Sequence, residues 1–300
     1  MNYETFKSSA VTSIQNYFGE NTSVSLHPII KNNDIRLDGL LIQDQSRNIT
    51  PTIYLNHYYE EYLSGKPLSS VFEDIILAYQ NNVPKENIDF SFFMDYDKVK
   101  HQIIYKLINH RRNQNLLKDI PHFRFLDLAI VFCCYLPSMP NGNATILIHN
   151  HHLNIWQITA DTLYDLAIKN TPILLPYEIA GMEATLKKLC PEFCLPPTTA
   201  AVSTDLPSMY VLSNTEKLYG ASALLYPDVV SRFADSIHSD LYILPSSIHE
   251  ALLLPKEKGS DDITGLNLII QDINASQVPK EEILSDHVYI FEQASGFITL

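Results

Sequence analysis

The chain has 300 residues, 46% hydrophobic and 18% charged, with 21 Lys and Arg against 34 Asp and Glu for a formal charge of −13. That apolar share excludes a disordered chain, because enough side chains can leave water to offset the ordering entropy. The acidity argues against nucleic-acid binding by the surface as a whole, since it repels phosphate backbones.

In chain order, Tyr3, Phe6, Ala10, Ile14 and Tyr17 recur at helical spacing, and Gly19 ends the stretch. Val24 and Leu26, then Ile35 and Leu37, alternate with polar residues as half-buried strands do, around an Asn32-Asn33-Asp34 turn. A third strand over Ile49–Leu55 leads into an aromatic helix with Tyr58, Tyr59 and Tyr62. Past Gly65 and Pro67, the residues Leu68, Val71, Phe72, Ile75, Ile76 and Tyr79 form an amphipathic stripe.

Val99, Ile103, Ile104, Leu107 and Ile108 read as another helical stripe. The run Phe125–Leu136 is apolar apart from Asp127 and suits a strand buried on both faces, with a buried helix as the alternative. A turn over Pro137–Gly142 and a partner strand over Asn143–His149 follow. Thr159 is placed to cap a helix reaching Lys169, and Glu178–Leu189 reads as one more helix.

Pro191, Pro196, Pro197 and Pro207 mark an irregular stretch. Beyond it, Met209–Leu212, Leu241–Leu244, Ala251–Leu254 and Val288–Phe291 read as strands. Ala221–Tyr226 is ambiguous. Helices are expected from Pro227 through Ile237 and over the Ile263, Leu266, Ile269, Ile270, Ile273 stripe. The class is α+β, as tandem small helix-and-sheet units with mostly antiparallel strands. The expected division is 1–90, 91–190 and 208–300, with 191–207 as a proline-rich connector.

Met1–Phe6, Pro51–Tyr62, Phe125–Phe132, Asn143–Asn150, Tyr242–Glu250 and Leu284–Tyr289 together resemble a family of uncharacterised bacterial proteins catalogued as domain of unknown function 5688. The resemblance covers most of the chain and implies a bacterial cytosolic protein. It implies no activity.

Four cysteines are too few for a disulfide-stapled scaffold, and Cys133-Cys134 and Cys190-x-x-x-Cys194 have no secreted layout. No basic-then-apolar leader opens the sequence, and the longest apolar run, Leu128–Leu136, is about half of the ~20 residues a membrane helix needs. A cytoplasmic, membrane-free protein is expected. On a strand Cys133 and Cys134 face opposite ways, so one metal cannot take both, and Cys190 with Cys194 is at most half a zinc site.

His149 and His151 would share a face of an extended chain and could chelate a metal, but no third ligand stands at a recognisable spacing. Ser246 or Ser247 with His249 and Glu250 supplies serine-hydrolase residue types without a Gly-x-Ser-x-Gly elbow. With nine glycines and no phosphate-cradling motif, nucleotide binding is not expected. Lys98, Lys100, Lys106, Arg111 and Arg112 fall in one window without an acid, which on a helix would be a basic face. The tyrosines at 54, 58, 59 and 62 suit either a core edge or a partner surface.

These readings favour a non-catalytic binding or regulatory module whose partner is a protein, with no catalytic, cofactor or metal residue assigned. Lys98, Lys100, Lys106, Arg111, Arg112, His149 and His151 are its interaction candidates. The alternatives are a hydrolase, metal-assisted or serine/cysteine-based, using His149 and His151 or Ser246 and His249, and a structural protein that self-associates.

Overall fold

The computed structural model describes residues 1–84, 86–139, 142–182, 209–256 and 262–300. Cys190, Cys194, the 191–207 connector and most of the helix expected at 178–189 lie outside the described residues. The chain divides into two compact units, Met1–Met94 with Pro137–Ala144, and Asp95–Leu136 with Thr145–Leu300.

In the first unit, Asn2 caps α1 (Tyr3–Phe18) by accepting the Thr5 N–H, and the chain leaves the helix through Gly19 at φ 78°. β1 (Thr22–Ile30) pairs antiparallel with β2 (Arg36–Asp44) over its whole length, and β3 (Thr52–Tyr54) adds to β2. The turn between β1 and β2 places Asn33 and Asp34 in the left-handed region, which short polar side chains tolerate. Two helices, α2 (Leu55–Leu63) and α3 (Leu68–Asn82), complete the unit.

Three of the four clustered tyrosines belong to this core, while the Tyr54 ring lies under the Lys31 ammonium at 4.6 Å. Tyr58 is buried, and the Tyr59 and Tyr62 rings stand 5.2 and 6.0 Å from the ring of Phe6. Phe6, Ala10 and Ile14 of α1 meet Leu40 and Ile42 of β2 and Val71, Phe72 and Ile75 of α3. Each buried Phe, Leu, Ile or Val here contributes about 1.5–3 kcal/mol before entropy, and the Ala10 methyl less.

The second unit opens with a short α4 (Tyr96–Val99) and then β4 (Ile103–Asn109). The helical stripe expected here is a strand. Six of its seven residues are buried, so apolar side chains fill both faces and no alternation remains to read. β5 (His122–Phe125) and β6 (Leu128–Met139) flank a two-residue turn at Leu126 and Asp127, and β7 (Gly142–Leu147) also pairs with β6. The sheet runs β4-β6-β5, with β4 and β5 antiparallel to β6. The apolar run around Phe125–Leu136 is thus strand rather than helix.

Next come α5 (Asn150–Trp156) and α6 (Ala160–Leu174), the latter capped by Thr159 as expected. The start of the helix expected at 178–189 is instead strand β8 (Tyr177–Gly181). β8 pairs with β9 (Tyr210–Asn214), which supplies the backbone partners a helix would otherwise have provided internally.

The remaining elements are α7 (Val229–Ile237), β10 (Leu241–Leu244), β11 (Ala251–Pro255), α8 (Ile263–Ser276), β12 (Tyr289–Glu292) and β13 (Phe297–Thr299). The ambiguous 221–226 stretch is a buried 3-10 turn over Gly220–Leu225. A six-stranded antiparallel sheet runs β13-β12-β10-β11-β9-β8. It joins a strand from the 91–190 stretch to strands from 208–300, which count as one unit. The class is mixed α+β with mostly antiparallel sheets.

Candidate functional site

The five basic candidates do not share a helix face. Lys98 pairs with Asp95 at 3.6 Å and Lys100 with Asp97 at 2.7 Å, both one turn back in sequence. Lys106 lies on β4, where its ammonium sits 4.4 Å from the centre of the Tyr219 ring. Arg111 is exposed, and Arg112 bonds Asp286. The acids just outside the 98–112 window, and one far along the chain, answer much of its charge.

His149 and His151 are not on a strand. His149 is the N-cap of α5, and its backbone N–H donates to Nδ1 of His152 at 2.9 Å. His149 Nδ1 lies 2.7 Å from Asp119 Oδ2, and the His149 and His151 rings are 5.6 Å apart. Among the described residues, no group of three or more His, Cys, Asp or Glu is placed to hold a metal.

His152 carries a pH dependence instead. Burial, helped by His151 and His149, pushes its pKa down from 6.5 to about 4. Between those values the unfolded chain takes up a proton that the folded chain refuses, so stability falls as pH falls through this window. With the ring only partly buried, the loss between pH 7 and 4.5 is expected to be about 1–2 kcal/mol. His152→Gln retains a capping acceptor. Urea midpoints at the two pH values should show that this variant lacks that share of the loss; equal pH dependence would contradict the assignment.

Ser246 and His249 do not form a catalytic pair. His249 Nδ1 lies 3.1 Å from the Lys217 carbonyl oxygen, and its Nε2 is 3.8 Å from Glu282. The Ser247 hydroxyl accepts the backbone N–H of His249 at 3.1 Å, which is a turn contact. Neither imidazole nitrogen of His249 bonds a serine hydroxyl among the described residues.

Sequence reasoning missed a polar cluster centred on Asp127. Its carboxylate accepts from Ser285 Oγ at 2.7 Å, His287 Nδ1 at 3.3 Å and the Tyr289 hydroxyl. Beside it, Asn109 donates to the Leu284 carbonyl at 2.9 Å, and Asn274 donates to the Ser285 carbonyl and to Asp286. The backbone N–H groups of Leu284 and Ser285 donate to the carbonyls of Ser246 and Pro245, each at 2.9 Å.

Three of the stretches that carry the family resemblance, 125–132, 242–250 and 284–289, therefore meet here. Burial and the Asp127 charge together hold the Tyr289 hydroxyl far above its usual pKa, so it stays a donor. His287 is half exposed, and donating Nδ1–H to Asp127 leaves Nε2 as an acceptor. No serine hydroxyl or cysteine thiol bonds that nitrogen among the described residues. The cluster is a clamp that fixes the 284–289 segment on the β5–β6 turn.

The second feature is a cleft on the same sheet. Period-two alternation puts Phe123 and Phe125 of β5 on one face, and the i, i+4 pair Tyr164 and Ile168 of α6 faces them. The Phe123 and Tyr164 rings stand 4.8 Å apart. With Tyr105, Ile130 and Leu225 these side chains line a cavity of about 480 Å³, and Arg124 is its charged lining residue.

Arg124 Nε donates to the Leu126 carbonyl at 3.1 Å, which fixes the guanidinium near the strand end. Burial, then the Arg124 and His122 charges, hold His110 below its usual pKa. β5 is an edge strand: β6 is its partner, and no other hydrogen bond involves a backbone group of 122–125 among the described residues. A four-residue strand with two aromatics gives little periodic signal, so the sequence reading passed over it.

No helix among the described residues is long and apolar enough to cross a membrane. No curated protein and no solved structure matches the chain. The model of a family of unknown function, DUF5688, matches residues 3–293, and the chain belongs to that family.

Proposed function

We propose that this chain is a non-catalytic binding module and that its partner is another protein, held at the cleft beside β5. One observation carries this reading: a preformed aromatic cavity of about 480 Å³ with a single lining cation adjoins a strand edge without a partner among the described residues. Cavities of this size, mostly apolar with few polar groups, are what ligand sites look like. An open strand edge adds backbone donors and acceptors that a partner chain can use. The hydrolase alternative draws no support from Ser246 and His249, which are not bonded, or from His149 and His151, which belong to no metal-holding group among the described residues.

Photocrosslinking tests the reading. A benzophenone amino acid at position 164, with one at exposed Asp228 as control, is irradiated in the source cells. The reading expects one protein crosslinked from 164 and not from 228. That protein, once purified, should bind the wild-type chain and bind Tyr164→Ala at least tenfold more weakly, with the variant still unfolding cooperatively well above the assay temperature. Binding indifferent to Tyr164→Ala, or crosslinks from 164 only within the chain, would contradict it.

A further inference from the structure

We propose that the cleft takes an extended acidic segment of the partner, which adds to the sheet as a strand beside β5; this rests on the binding reading above. The backbone groups of 122–125 that point away from β6 have no partner among the described residues. An incoming strand satisfies them in one step, because antiparallel and parallel ladders alike use alternate residues.

That pairing dictates a side-chain pattern. Residues of the added strand two apart lie about 7 Å apart on one face. On the cleft face they meet Phe123, Phe125, Tyr164 and Ile168, so large apolar side chains are favoured. On the other face the neighbours are those of His122 and Arg124. Asp127, the acid nearest in sequence, is engaged by Ser285, His287 and Tyr289 and so is not the counter-ion of Arg124.

A carboxylate on the incoming strand supplies that counter-ion. The same arginine repels a basic strand, so it selects as well as attracts. An edge residue of this kind also limits indiscriminate pairing, which open edges otherwise invite. The recognised segment therefore alternates large apolar residues with Asp or Glu. A single-stranded nucleic acid could stack on the same aromatics, but it would approach a chain of charge −13 with Arg124 as the one cation bordering the cleft.

Labelled ten-residue peptides and fluorescence anisotropy provide the test. The central motif is two Phe separated and flanked by Glu. Comparison peptides carry Lys in place of Glu, or N-methyl groups on alternate backbone nitrogens of the Glu peptide; a uridine decamer is the fourth probe. The proposal expects the Glu peptide to bind at least tenfold tighter than the Lys peptide. Arg124→Glu should reverse that order, and N-methylation should cost at least tenfold.

Arg124 is exposed, so the variant is expected to fold, and its melting temperature checks this. Equal binding of the N-methylated peptide, no reversal in Arg124→Glu, or tighter binding of the uridine decamer would overturn the inference. If no peptide binds while the crosslinked partner still needs Tyr164, strand addition fails and the binding reading stands. Loss of both removes both.

Discussion

Asp127→Ala is expected to destabilise the second unit by about 3–5 kcal/mol, because orphaned buried hydroxyls cost about 1–3 kcal/mol each. Ser285 and Tyr289 are both fully buried, and both donate to this carboxylate. His287, half exposed, can turn to solvent and adds little to the loss.

Tyr289→Phe removes one donor and leaves Asp127 with two, so about 1–2 kcal/mol is expected there. Urea unfolding followed by the fluorescence of Trp156, the single tryptophan and a residue of the second unit, measures both. An Asp127→Ala loss below about 1 kcal/mol would show that the cluster does not clamp the 284–289 segment.

Gly220→Ala is expected to cost about 3 kcal/mol, at the upper end for an inserted methyl group. A β-carbon at this position would lie 2.2 Å from Ser213 Oγ, 2.3 Å from the His249 carbonyl oxygen and 2.9 Å from the Asn214 backbone nitrogen. Two of those atoms are backbone, so no rotamer change relieves them. The third is held, since Ser213 Oγ donates to the same His249 carbonyl at 2.8 Å.

The path into this position is constrained as well. Lys217 and Tyr219 sit at φ 54° and 53°, in the left-handed region. Moving residue 220 outward would draw on both. The same Trp156 unfolding curve reads the loss, and a midpoint equal to wild type would contradict the close approach of Ser213, Asn214 and His249 to Gly220.

The first unit was legible because its elements are long and one-sided. Phe6, Ala10 and Ile14 recur at helical spacing, and all three are buried. Val24 and Leu26 of β1 pack partly buried against the core that Leu40 and Ile42 of β2 enter, and the Asn-rich turn between the strands has the chemistry such turns need. β4 was misread because Ile103, Ile104, Leu107 and Ile108 are buried on both faces of a strand. A continuous apolar run then matches helical spacing by chance.

His149 to His152 were read as extended, and a helix start took them instead. Nothing in four polar residues separates the two, since the cap depends on His152 Nδ1 reaching the His149 N–H. Asp127 stood out in the sequence only as the charge interrupting an apolar run. Its partners Ser285 and Tyr289 lie 158 and 162 residues further on, a separation that no spacing rule bridges. The signal that could have found it was the pair of family-like stretches at 125–132 and 284–289, read as neighbours. The cleft depends on Tyr164 and Ile168 of α6 folding back over Phe123 and Phe125, which is a tertiary fact.

Hydrogen exchange of the chain, alone and with its crosslinked partner, tests the binding account most directly. Amides of His122–Phe125 that point away from β6 have no acceptor among the described residues, and edge amides of this kind exchange fast. The account predicts that these amides slow at least tenfold in the complex, together with protection around Tyr164. Protection confined to other surfaces, with 122–125 unchanged, would contradict it.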